Sequence, residues 1–299
     1  VLVAAAVCPH PPLLIPAAMG AAGIRRPDAA WPAGARPEDR RPGGGPDNPG
    51  DDGTAELREL RRACVAAVSG LLAAGPDLLV VVGGAPENAV YPASAAGSLR
   101  DFGVPVTVGS GEPVLPLPLT IGSWLLDQAG GARPGGAGAP GRGRPDGAAQ
   151  PRPRLPGRPN ALGRLQLRAV AAGLPPADCL RLGAEIAAMA PRVALLAMGD
   201  ASARKAIGVH GAADPAAERY DAEVAAALAA ADPGRLASLD PALDGELLIA
   251  GRAAWQVLAG AAGGAALHGQ LRCAVAPFDV SYLVASWAAG QPSPAPLAN

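Results

Sequence analysis

Short continuous apolar runs alternate along this chain with stretches in which apolar residues recur every three or four positions, the signatures of buried strands and amphipathic helices. Val1 to Val7 is the first run, and its composition suits a strand covered on both faces. It stops at Cys8-Pro9-His10-Pro11-Pro12, where the prolines remove the donors that further pairing needs. Leu57, Leu60, Cys64, Val68 and Leu71 then mark one helix face, closed by Gly75-Pro76. Leu78 to Val82 predicts a second buried strand running into a turn at Gly83-Gly84-Ala85-Pro86.

The alternation continues with a strand over Val104 to Val108 and a helix over Thr120 to Ala129. A helix from Ala177 to Ala190 precedes the strand Val193 to Met198, which delivers Gly199-Asp200-Ala201-Ser202 to its carboxyl end. Tyr220, Val224 and Leu228 share a helix face; Leu247, Gly251, Trp255 and Leu258 predict one further helix. Leu271 to Ala276 and Val280 to Trp287 read as closing strands. The expected fold is α/β: a single domain with a mostly parallel central sheet flanked by helices.

Two segments break the pattern. Arg25 to Gly53 and Gly130 to Asn160 combine proline, glycine and charge without apolar periodicity, so burial cannot offset their ordering entropy. Both are expected to be disordered insertions in one domain that spans residues 1–299, because strand and helix alternate on either side of them. They also explain a composition of 40 Gly and 34 Pro in 299 residues.

Composition then narrows the function. With 25 basic and 26 acidic residues the net charge is −1, so no broad field draws the chain to nucleic acid or an anionic membrane. No stretch approaches the roughly 18 to 20 uninterrupted apolar residues of a membrane span. The opening VLVAAAVC lacks the basic start of a secretion signal and reads as a strand. Cys8, Cys64, Cys179 and Cys273 form no CxxC pair and sit in apolar stretches, as reduced core thiols would, and the expected compartment is the cytoplasm. Aromatic residues make up only 3% of the chain, so the core must be built from alanine, valine and leucine.

In open sheets ligands gather at the carboxyl ends of the strands, which directs attention to the loops at His10, Gly84 and Asp200. His10 is held rigidly by flanking prolines, a mount that suits either a metal ligand or a loop-capping histidine. Asp200 and Ser202 follow a strand end, where the carboxylate has two readings: a metal or substrate-hydroxyl contact, or the cap of the next helix. Cys8 would share a strand face with His10, in a Cys-x-His pair or as core. His210 and His268 lie in Gly-rich contexts that favour surface roles. The Gly83-Gly84 turn has neither dinucleotide nor phosphate-loop spacing, and no serine stands in a G-x-S-x-G setting.

Read in order, VCPHPPLLIP, PDLLVVVGGAPE and MGDASARK, with Tyr220-Asp221, Leu239 to Leu243, Gly251 to Trp255, Ala276-Pro277-Phe278 and Tyr282 to Ala285, resemble the class III extradiol ring-cleavage dioxygenase family and the related Memo-like proteins. The likeness covers nearly everything outside the insertions. It implies non-haem Fe(II), held by two histidines and a glutamate, that opens the ring of a catechol-type aromatic with dioxygen. By the same resemblance the first iron histidine is His10, while the second falls at Gly84. The acid/base histidine falls at Ala203 and the glutamate near Ile249, with Glu246 one helical turn earlier as a substitute.

A ligand set reduced this far leaves two expectations. One is an oxidoreductase with a diverged metal site built from His10, Asp200, Glu246 or His210. The other is a non-catalytic protein, without a cofactor, that binds a small phenolic molecule or a partner in the same cleft, lined by Gly84, Asp200 and Ser202. The resemblance also implies association with other subunits, either as a homo-oligomer or with a different partner.

Overall fold

The computed structural model describes residues 1–21, 49–130, 164–203 and 214–290. Most of both predicted insertions, and His210, lie outside these residues. Strands β1 (Leu2–Cys8), β2 (Leu78–Ala85), β6 (Arg164–Ala171) and β7 (Val193–Met198) form the parallel centre of a seven-stranded sheet. Strands β3 (Ala89–Tyr91), β8 (Leu267–Val275) and β9 (Tyr282–Ala289) complete its edges through antiparallel pairs, in the order β3-β6-β2-β7-β1-β9-β8.

Strand periodicity sends alternate residues into two separate cores. Leu78, Val80 and Val82 face one side, and Leu79 and Val81 face the other. The first core is covered by α4 (Pro176–Ala188), α5 (Pro215–Ala230), α6 (Pro233–Ala237), α7 (Leu243–Leu247) and α8 (Arg252–Ala262). The second is covered by α1 (Pro16–Ala21), α2 (Pro49–Ala73) and α3 (Leu117–Gln128). The α/β class with a mostly parallel sheet is therefore the fold of this chain. Small side chains let the layers close tightly: a Cβ on Gly183 of α4 would stand 2.1 Å from the Val257 carbonyl oxygen of α8.

Several local expectations change. The helix over Leu57 to Leu71 begins earlier, at Pro49, and takes in the last residues of the first predicted insertion. Strand β2 continues through Gly83, Gly84 and Ala85, where a turn was expected, because β6 pairs with it along its whole length. That partner was not predicted: its alternation of Leu165, Leu167 and Ala169 with Gln166 and Arg168 is short and abuts the second insertion. Val104 to Val108 yields only β5 (Thr107–Val108), paired with β4 (Gly97–Ser98) in a separate small sheet. The helix expected through Leu247 and Leu258 is two helices, parted at Leu248, whose φ of 55° ends α7.

Candidate functional site

Cys8, Met198 and Gly83 stand in one row across β1, β7 and β2. Beyond that row the residues after β1 and β7 meet at the carboxyl edge of the sheet, next to the last residues of β2. The Gly199 N–H donates to the Cys8 carbonyl at 3.0 Å, which carries the β1–β7 pairing one step further and sets Asp200 beside His10. This approach needs glycine. A Cβ on Gly199 would lie 2.4 Å from the Gly251 Cα.

Asp200 and His10 make a tight pair. The His10 backbone N–H donates to Asp200 Oδ1 at 2.7 Å, and His10 Nδ1 lies 3.4 Å from the same oxygen. The imidazole is only 7% exposed, yet Nδ1 has no hydrogen-bond partner. A buried polar atom left unpaired costs on the order of 1 to 3 kcal/mol, which an incoming ligand or a small ring rotation onto Asp200 would recover. Tyr282 lies close to Asp200: burial pushes its hydroxyl above the usual range and the nearby carboxylate adds to the effect.

The loop carrying Asp200 is fixed from both sides. Ala201 N–H donates to the Ser281 carbonyl at 3.1 Å, and Ser281 N–H donates to the Ser202 carbonyl at 2.8 Å. On the other side Ala203 N–H donates to the Leu247 carbonyl at 3.1 Å, and Ala250 N–H donates to the Asp200 carbonyl at 3.2 Å. Below the loop, buried Asp221 accepts from the Ser202 N–H at 3.0 Å, from the Ser202 hydroxyl at 2.7 Å and from the Ser281 hydroxyl. Ser202 is thus fully buried and occupied by Asp221, so in this conformation it lines no open cleft.

The remaining sequence candidates divide in the same way. Gly84 is only part-buried, and a Cβ there would meet nothing closer than the Ala250 oxygen at 3.5 Å. The position has room for a side chain that it does not carry. Ala203 supplies only its backbone. Ile249 packs into the core under α8. Glu246 is exposed on α7, and the left-handed Leu248 separates it from Ile249, so the helical-turn equivalence does not hold. Cys8 is completely buried, with its thiol against the Cys64 carbonyl, and serves the core instead of pairing with His10. All four cysteines are free and buried. His268 is exposed on β8, two strands from β1.

An iron centre of the family type needs three protein donors on one face of the metal. His10 and Asp200 are two. Among the described residues no group of three or more His, Cys, Asp and Glu side chains is arranged to hold a metal ion. The residues present do not fit the iron group that the resemblance implies. Sequence reasoning also passed over Asp221, Ser281 and Leu248. Asp221 had a visible signal, an acidic residue beside the core position Tyr220 on a helix; the other two had none.

No helix among the described residues is long and apolar enough to cross a membrane. No family model and no curated protein matches the chain. Among the solved structures that match, one from Escherichia coli K12 described as uncharacterized protein JW3007 is 16% identical, with a TM-score of 0.42, over 76% of this chain and 92% of that one.

Proposed function

We propose that this chain is a diverged relative of the class III extradiol dioxygenases that binds a small phenolic molecule at the carboxyl edge of its sheet without the family's ring-opening iron chemistry. The observation that carries this reading is the His10–Asp200 pair, buried, with one ring nitrogen unpartnered, beside a Gly84 position that has room and no donor. A ligand hydroxyl is the natural partner for such a pair. It can donate to an imidazole nitrogen or accept from one, and the carboxylate offers a second acceptor. The missing third donor and the alanine at position 203 argue against dioxygen activation by this constellation, since neither a three-donor iron site nor the proton-transfer histidine is there to perform it.

Anaerobic loading with ferrous iron tests the reading. Wild type and His10→Ala are expected to retain equally little iron after desalting. One equivalent of iron in wild type, lost in His10→Ala, would instead establish a rebuilt metal centre and favour an oxidoreductase of the family type.

A further inference from the structure

Four non-glycine residues among those described have left-handed backbone: Ala231, Leu248, Phe278 and Asp279. Such conformations cost on the order of 1 kcal/mol for a residue with a Cβ, and a large side chain is the least expected occupant. Ala231 ends α5 in the ordinary manner of a helix terminus. The other three lie in the two loops that grip the Asp200 loop. Leu248 stands between Leu247, which accepts from Ala203, and Ala250, which donates to Asp200. Phe278 and Asp279 shortly precede Ser281, which exchanges backbone bonds with Ala201 and Ser202. Strained backbone that persists in this way collects at ligand clamps more often than elsewhere.

The side chains are as unusual as the backbone. Leu248 is 49% exposed and Phe278 is 41% exposed, in a chain that has only two phenylalanines. Leu248 takes the helix-ending position that glycine normally fills, so exposure and strain coincide where a glycine would remove both. The two loops approach from opposite layers: Leu247 and Ile249 belong to the core under α8, while Tyr282 belongs to the core under α2. The Asp200 loop that both of them bond carries the partner of buried His10, whose unpartnered nitrogen is an independent sign of a missing ligand.

We infer that Leu248 and Phe278 are the specificity-determining contacts of the site, two apolar jaws held out on strained turns to close on the ring of an aromatic ligand whose hydroxyl meets His10 and Asp200. This rests on the ligand-binding reading above and names the class it selects: flat, apolar-faced rings bearing a hydroxyl, in preference to saturated diols of the same size.

The test is calorimetric titration of the full chain with catechol, and with cyclohexane-1,2-diol as the saturated control, in the presence of a chelator. Wild type is expected to bind catechol more tightly than the diol. Leu248→Gly and Phe278→Gly remove the side chain and relieve the backbone together, so each is expected to raise Kd for catechol about tenfold while the thermal midpoint stays level or rises. Leu248→Asn and Phe278→Asn, which also tolerate the left-handed region, are expected to weaken binding equally. Wild-type affinity in all four variants would overturn the inference and leave the ligand reading standing. A fall in midpoint alongside lost affinity in both series would show a structural role and overturn it also. Failure of wild type to bind catechol at all would sink the ligand reading and the inference together.

Discussion

Asp200 and Asp221 serve the same loop, yet the fold treats the two carboxylates very differently. Asp221 is buried and saturated, taking a backbone N–H and two serine hydroxyls. Asp200 is part-exposed and accepts from the His10 backbone while the imidazole beside it remains unpaired. A saturated buried polar cluster fixes geometry, whereas an unsaturated one is held open for something else. The comparison teaches that the loop after β7 is anchored through Asp221 so that Asp200 and His10 can be kept incomplete.

The largest effect should come from breaking the anchor. Asp221→Ala strands two buried hydroxyls and one N–H, and is expected to cost about 3 to 5 kcal/mol in a denaturant titration. Gly199→Ala should follow, at about 2 kcal/mol, because its Cβ would be driven into the Gly251 backbone; binding of a phenolic ligand should fail as Asp200 is displaced.

A smaller effect appears in alkali. Burial, with Glu59 and Glu56 nearby, pushes the Cys273 thiol from an ordinary 9.0 up to about 11. The unfolded chain therefore loses this proton first. The stabilisation is complete below about pH 9 and is lost as pH rises to about 11, so stability should decline across that window and decline less in Cys273→Ala. Smallest of all, His10→Ala should change stability by less than about 1 kcal/mol, since its Nδ1 makes no hydrogen bond to lose.

The strands and helices with long apolar periodicity were legible in the sequence. Val193 to Met198 forms the strand it predicted, and the stripe from Leu57 to Leu71 is buried as expected. What was not legible depended on partners distant in sequence. Gly83 and Gly84 look like a turn until β6 pairs with them, and Leu248 looks helical until its own backbone bond to Asp244 closes α7. Of the candidate site, His10 and Asp200 could be nominated from their places after strands, but their contact arises from the order β2-β7-β1, which no local pattern encodes. Ser202 was nominated for the same reason and belongs to the anchor, because two residues along a loop are enough to turn a side chain from the edge of the sheet into the core.

The most direct measurement is the affinity of metal-free wild type and His10→Ala for catechol, made beside their thermal midpoints. Binding by wild type that weakens at least tenfold in His10→Ala, with matching midpoints, is the result expected of a ligand site centred on His10 and Asp200. Equal affinity in the two proteins, or ring opening by wild type only after ferrous iron is restored, would contradict it.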